Sequence, residues 1–158
     1  MSRLGTLLVA AALVAGCDSG SDETASFRVE ITGGVEAAFS GRPSVVRIPE
    51  EDGGGYVLTL GQGFSSVTLS LLDPVEPGTA SASGAFVLLA SGGAVRAFSA
   101  DGGTVTTESV DGSIVRVQFA FEATDGEDRV EVEGVVTADL DAAVDLPVVP
   151  RPSGLPRR

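Results

Sequence analysis

Several residue types on which enzymes depend are missing from this chain of 158 residues. It contains no histidine and no tryptophan, and all ten of its basic residues are arginine. Without histidine there is no Ser-His-Asp or Cys-His arrangement to activate a nucleophile, and no imidazole to bind zinc. Without lysine there is no side-chain amine to form a Schiff base. The composition therefore excludes these routes to catalysis.

Positive charge is also scarce. The chain has 22 acidic residues against 10 arginines, which gives a net charge of −12. A surface of this sign repels the phosphates of nucleic acids and anionic lipid headgroups. We therefore expect no nucleic-acid partner.

The single cysteine, Cys17, lies where an apolar run gives way to a polar one. The apolar run, residues 4–14, would form about 16 Å of helix, which is too short for a hydrocarbon core of about 30 Å. With the basic Arg3 before it, this run is typical of a secretory signal peptide. A lone cysteine in a secreted chain has no disulfide partner within that chain. One interpretation of Cys17 is a chance cysteine at the end of an ordinary signal peptide, and another is a buried thiol.

The segment Val14-Ala15-Gly16-Cys17 resembles the lipobox of bacterial lipoproteins. The resemblance implies cleavage before the cysteine, a diacylglycerol thioether on its sulfur and commonly an acyl chain, such as palmitate, on the new amino group. Two or three acyl chains, at about 0.8 kcal/mol for each buried CH₂, hold a protein stably at a membrane. We therefore expect residues 1–16 to be a lipoprotein signal peptide and Cys17 to be the lipidation site and membrane anchor.

The segments that flank the main domain are polar or rich in proline. Residues 17–26 are acidic and contain glycine and serine, which predicts a flexible tether. Asp18 resembles an inner-membrane retention signal of some Gram-negative groups, whereas acidic residues a few positions on resemble surface-export signals of others. We expect an exported protein anchored to the cell envelope, at the outer membrane or cell surface rather than the inner membrane. Residues 143–158 contain prolines and arginines and predict a disordered tail.

From Phe27 onward, apolar and polar residues alternate with a period of two, and no window has the period of a helix. Such alternation predicts half-buried antiparallel strands. A chain without helices must cover its sheet faces by closing a barrel or by pairing two sheets. We predict one all-β domain over residues 27–142, an antiparallel β-sandwich or alternatively a closed barrel, with about nine or ten strands.

The alternation also predicts which side chains face the core. In the third predicted strand they are Val46 and Ile48. In the last two strands the expected inward rows are Val115, Val117, Phe119, Phe121 and Ala123, and then Val130, Val132, Gly134, Val136, Ala138 and Leu140.

Glycine dipeptides predict the turns. Gly92-Gly93 and Asp-Gly tolerate the positive φ angles of tight hairpin turns. Asp-Gly occurs at 52–53, 101–102, 111–112 and 125–126. We expect each of these dipeptides to join antiparallel neighbours.

The order of motifs from Phe27 to Leu140 resembles a family of small, uncharacterised β-rich lipoproteins of Bacteroidota-like bacteria. That family has a central PGTY turn, then G-x-V-x-I and I-x-G-x-F-x-F-x-A segments, then a final strand. The counterparts here are Pro77-Gly78-Thr79-Ala80, Gly103-Thr104-Val105-Thr106-Thr107 and Val115 to Ala123, with Ala80 in place of the aromatic residue. The resemblance implies a β-rich surface or periplasmic lipoprotein and assigns no catalytic residue.

Two acidic loops are candidate calcium sites, because Ca²⁺ takes six to eight oxygen ligands from carboxylates and carbonyls. Neither loop has the spacing of an EF-hand. The alternative interpretation is that both are solvated hairpin tips that keep strand edges soluble. The candidate ligands are Glu50, Glu51 and Asp52 in the first loop, and Asp125, Glu127 and Asp128 in the second. Calcium is the only cofactor that the sequence suggests.

One pair of carboxylates shares a strand face, as the two catalytic groups of a glycosidase could. This pair, Glu131 and Glu133, belongs to the face opposite Val130 and Val132, where solvated charges are expected. We therefore predict no catalytic residue and no enzyme activity. The predicted function is that of a membrane-anchored exported lipoprotein whose β domain has a structural or binding role. The alternative is a calcium-dependent module that binds a carbohydrate or a protein partner through its acidic loops.

Overall fold

The computed structural model describes residues 25–145. Within them lie eleven β-strands and two short 3-10 helices, Glu50–Asp52 and Leu140–Ala142. The strands are β1 Ser26–Gly33, β2 Ala37–Gly41, β3 Ser44–Ile48, β4 Gly55–Gln62, β5 Ser65–Leu71, β6 Gly78–Ser81, β7 Phe86–Ser91, β8 Ala94–Asp111, β9 Ile114–Thr124, β10 Arg129–Asp139 and β11 Val144–Asp145. The prediction of an all-β fold is confirmed. Neither helix in this part of the chain is long and apolar enough to cross a membrane.

All the strands belong to one sheet, in the order β11-β3-β4-β5-β7-β8-β9-β10-β1-β2, with β6 paired to β8. The pairs are antiparallel except for β11 with β3. β2 lies at one end of this order and β3 lies near the other end, yet only Arg42 and Pro43 connect them. The three Cα–Cα steps from Gly41 to Ser44 span at most about 11 Å. The sheet therefore has to curl until its two ends approach, and it forms a half-barrel.

The core lies inside this curled sheet, and β9 and β10 face it as predicted. Buried and exposed residues alternate along β9 from Val115 to Ala123. In β10, Val132 lies opposite Phe121 and Val136 lies opposite Val117. These four side chains form one buried row across the two strands, so the predicted register is confirmed.

Strand β3 faces the core differently from the prediction. Val45 is its buried residue, at 6% exposed, whereas Val46 and Ile48 are half-buried. Val45 pairs with Leu58 of β4, which is fully buried. Two adjacent valines allow either face of this strand to be apolar, and pairing with β4 decides between them. The prediction that Val46 and Ile48 face the core is therefore wrong.

Most of the predicted turns join antiparallel neighbours. Gly92 and Gly93, with φ angles of 60° and 86°, connect β7 to β8. The Asp-Gly dipeptides at 52–53, 111–112 and 125–126 also lie in connections between paired strands. The fourth, Asp101-Gly102, lies inside β8, where Asp101 is the extra residue of a β-bulge. The turn predicted there is wrong, because β9 pairs with β8 on both sides of this dipeptide and accommodates it as a bulge.

The segment boundaries differ in three places from those expected. Of residues 77–80, a turn according to the family resemblance, Gly78, Thr79 and Ala80 belong to β6 and only Pro77 precedes it. β1 begins at Ser26, the last residue of the expected tether, and β11 uses Val144 and Asp145 from the expected tail. Cys17, the predicted signal peptide and the rest of the predicted tail lie outside the described residues.

Candidate functional site

Strand β8 changes its partner partway along its length. Residues up to Ser99 pair with β7, and Thr104 to Thr107 pair with β6. Between the two parts, the bulge at Asp101 bends β8. Opposite the bulge, a turn closed by the bond from Ala85 N to Ala82 O, at 2.8 Å, separates β6 from β7. β6 and β7 therefore lie one after the other along the same side of β8, and both are antiparallel to it.

Strand β5 pairs with β7 but not with β6. Its residues Ser66 to Thr68 pair with β7. Residues 69–71 have no strand partner on that side within the described part of the chain. A groove of about 430 Å³ lies here, between the end of β5, residues 72–76 and β6.

The floor of the groove is apolar because β6 carries small residues where it faces the core. Gly78 and Ala80 lie opposite Thr107 and Val105 of β8, which are buried. Gly78 and Ala80 therefore lie on the face of the sheet that points to the core. A hydrogen atom and a methyl group are too small to cover that part of the core. The apolar side chains left at the floor are Leu71, Val75, Ala82, Ala85 and Val105.

Leu72 stands at the mouth of the groove with 77% of its surface exposed. Among the described residues that line the groove, Glu76 alone carries a charge. Asp73 is close enough to Arg47 on β3 to help raise the pKa of that guanidinium, although the larger cause is a hydrogen bond to Tyr56. The mouth of the groove is therefore apolar with the carboxylate of Glu76 beside it, whereas Asp73 lies near the positive charge of Arg47.

The outer edge of β6 is unpaired among the residues 25–145, since β6 pairs with β8 alone. Ala82 N donates to Gly103 O at 3.1 Å. In an antiparallel pair, residues that bond to the neighbouring strand alternate with residues that do not. Ala80 therefore bonds to β8, whereas the peptide groups of Thr79 and Ser81 point to the free edge.

The contact between Thr79 and Thr106 agrees with this alternation. The two residues lie opposite each other, and their Oγ1 atoms are 3.0 Å apart. Side chains come closest in the pairs that do not exchange backbone hydrogen bonds. The N–H and C=O of Thr79 are thus available to a new neighbour.

Strand β6 is short, which limits pairing along its edge, but it carries no other feature that usually protects a sheet edge. Its residues are Gly, Thr, Ala and Ser, and all four are exposed. Charged side chains, internal proline or a bulge normally prevent such an edge from pairing with another chain. None of these occurs between Gly78 and Ser81.

The acidic loop between β9 and β10 is held by an arginine. Arg96 Nε donates to Asp125 Oδ2 at 2.8 Å, and its NH1 donates to Asp128 Oδ2 at 2.7 Å. Asp125 Oδ1 also accepts the backbone N–H groups of Asp128, at 2.9 Å, and Glu127, at 3.1 Å. The bond from Asp128 N–H is the largest cause that lowers the pKa of Asp125 to about 2. The carboxylates of Asp125 and Asp128 therefore stabilise the loop itself.

The structure does not bring the predicted calcium ligands together. Glu50, Glu51 and Asp52 are exposed on a 3-10 helix in a different loop from Asp125. Glu127 contributes its backbone N–H to Asp125. No group of three or more acidic or other metal-binding side chains in the described region is arranged to hold a metal ion. The calcium hypothesis gains no support from this geometry.

The predicted pair Glu131 and Glu133 lies on the exposed face of β10. Glu133 is opposite Glu30 of β1, and Glu131 is opposite Glu122 of β9. Two cross-strand pairs therefore set like charges against each other on the solvated face.

Two features of the site were missed by sequence reasoning. Arg96 is 29 positions from Asp125, and no local pattern connects them. The groove has a weak signal in the sequence, because Gly78 and Ala80 are small residues at alternate positions of one short strand. Comparison of the chain with family models, curated proteins and solved structures finds no match in any of the three.

Proposed function

We propose that this protein is an exported lipoprotein, anchored to the cell envelope by acyl chains on Cys17, whose β domain is a non-catalytic binding module. The observation that carries the proposal is the position of Cys17. It follows the apolar residues 4–14 and the small pair Ala15-Gly16, and it precedes a polar segment. This order is typical of a lipoprotein signal followed by its lipidated cysteine.

The start of the β domain supports an anchor at this position. β1 begins at Ser26 and pairs with β10 on one side and β2 on the other. The segment from Cys17 to Ser26 spans at most about 30 Å when fully extended. Because β1 lies within the sheet, the domain begins directly after this segment. An anchor at Cys17 would therefore hold the domain within about 30 Å of the bilayer.

The groove beside β6 supports a binding role. Among the described residues, those that line the groove supply an apolar floor, serine and threonine hydroxyls and one carboxylate, that of Glu76. These groups suit the recognition of a partner by apolar contacts and hydrogen bonds.

Cys17→Ala tests the anchor. Because the sulfur is the attachment point, cells fed radiolabelled palmitate should label the wild type and not the variant, and the variant should leave the membrane fraction. A matched control moves the thiol in the double variant Cys17→Ala, Ser19→Cys, which should stay unlabelled because its cysteine no longer follows Ala15-Gly16. Retention of Cys17→Ala in membranes at the wild-type level would contradict the proposal.

A further inference from the structure

We propose that the groove beside β6 binds an extended, positively charged peptide segment of another protein, which joins the sheet as a new strand along β6. The inference rests on the proposed binding function, because it names the class of partner that the module takes. It follows from three properties of the groove: an edge that is unpaired among residues 25–145, an apolar floor and the carboxylate of Glu76.

The unpaired edge requires an extended partner. Thr79 and Ser81 direct their N–H and C=O groups away from β8, as the bond between Ala82 and Gly103 indicates. A peptide in the β conformation satisfies these groups with main-chain hydrogen bonds, whereas a helix satisfies its own. β6 has no charged side chain and no internal proline to hinder such pairing, and its four residues limit the length over which a partner can pair.

The apolar floor determines which side chains the new strand should carry. Alternate side chains of an added strand point to the inside of the half-barrel. There they would lie over Leu71 and Val105, in the space that Gly78 and Ala80 leave open. Leu72, exposed at the mouth, offers further apolar contact. The partner should therefore have apolar residues at every second position.

The charge around the groove favours a basic partner over a second copy of this chain. Glu76 is the charged residue among the described residues that line the groove. Two copies that paired through β6 would bring two chains of net charge −12 together. Arginine or lysine beside the apolar positions would instead complement Glu76 and the domain as a whole.

The test uses the full chain purified in detergent and a fluorescent ten-residue peptide. In this peptide three valines alternate with threonines between paired terminal arginines, and fluorescence anisotropy measures its dissociation constant. We expect micromolar affinity. A peptide with glutamates in place of the arginines should bind at least about tenfold more weakly, a difference of about 1.4 kcal/mol. An absence of binding by the arginine peptide to the folded wild type would overturn the proposal.

A pair of substitutions at one position tests the strand pairing. Thr79→Pro removes an N–H at the free edge without removing a bond to β8, which is a position where proline is tolerated. It should weaken binding by about tenfold or more, because one main-chain hydrogen bond is lost and the proline ring blocks the edge. Thr79→Val keeps the N–H, loses the same hydroxyl and should bind as the wild type does. Equal affinities of Thr79→Pro and wild type would contradict strand addition.

Further measurements separate the remaining outcomes. If circular dichroism shows that Thr79→Pro does not fold, Ala80→Leu replaces it, because a larger side chain would fill the groove and should abolish binding. Dimerisation of the wild type that is lost in Thr79→Pro or Ala80→Leu and kept in Thr79→Val, without binding of the arginine peptide, would overturn the proposal in favour of a second copy. Cys17→Ala should bind the peptide like the wild type, so failure of the anchor and failure of the groove are observed independently.

Discussion

Asp125 illustrates how a single residue can be used differently from its sequence-based interpretation. An aspartate followed by glycine in an acidic loop resembles a cation ligand, but its two carboxylate oxygens are occupied by Arg96 and by two backbone N–H groups. The side chain is 15% exposed. Its role is to hold the β9–β10 loop against β8.

The low pKa of Asp125 predicts how stability depends on pH. In the folded chain its pKa is about 2, against an ordinary value of 3.8, so between these values the folded state binds fewer protons. Its contribution is therefore fully present above about pH 4 and is lost as the pH falls towards 2. Asp125→Asn removes this titration. The difference in urea midpoint between wild type and Asp125→Asn should be largest at neutral pH and should shrink at acid pH.

Glu127→Gln is the matched control for that experiment. Glu127 gives Asp125 its backbone N–H, which the substitution retains. This variant should follow the wild type through the acid range. A difference between wild type and Asp125→Asn that stayed constant from pH 7 to pH 2 would show that Asp125 does not titrate as stated.

At the scale of elements, the two long neighbouring strands β8 and β9 differ in the regularity of their pairing. β9 is regular throughout, whereas β8 has extra residues at Asp101 and Glu108. Both extra residues are acidic, and each forms an ion pair with an arginine. Arg129 NH2 lies 3.0 Å from Asp101 Oδ2, and Arg116 Nε lies 2.7 Å from Glu108 Oε2. These ion pairs are exposed and contribute little to stability. The bulge at Asp101 lies between the parts of β8 that pair with β7 and with β6, beside the groove.

The regular alternation of β9 predicts that alanine substitutions at two neighbouring positions change the free energy of unfolding by very different amounts. Phe119 is 1% exposed and lies over Gly134, whereas Gln118 faces solvent. Phe119→Ala should destabilise the fold by about 3 to 5 kcal/mol, because it leaves a cavity, and Gln118→Ala should change stability by less than about 0.5 kcal/mol. Urea unfolding followed by circular dichroism measures both. A larger loss for Gln118→Ala would mean that the strand faces are exchanged.

At the scale of the whole molecule, charge opposes folding. The chain carries a net charge of −12, and Glu30 with Glu133 and Glu122 with Glu131 are opposed across the sheet. Directly opposed like charges destabilise the pairing of two strands. Salt screens exposed charges of this kind.

Sodium chloride should therefore stabilise the protein, and calcium should do no more at equal ionic strength. Raising the salt from about 0.01 M to 0.5 M should increase the free energy of unfolding by on the order of 1 kcal/mol, as measured in urea. Glu133→Gln removes one opposed pair and should depend less on salt. A calcium site would instead add about 4 kcal/mol at a thousandfold excess over its dissociation constant. Such a calcium-specific gain would restore the calcium hypothesis.

Sequence reasoning succeeded where the signal was local. The alternation in β9 and β10 predicted their buried rows, and Gly92-Gly93 predicted a hairpin, because side-chain direction and positive φ angles depend on a few adjacent residues. It failed at Val45-Val46, where either face could be apolar, and at Asp101-Gly102, where the same dipeptide forms a bulge. Both outcomes depend on the strand that pairs with the segment.

The sequence by itself determined that the described domain is all-β, which faces of its last long strands are buried, and the order of apolar run, Cys17 and polar segment on which the proposed anchor depends. Only the tertiary structure decided that the sheet curls between β2 and β3, that Arg96 meets Asp125, and that β6 separates from β5 to leave a groove. These features join residues distant along the chain. They depend on which strands pair and where each strand bends, and no short stretch of sequence carries that information.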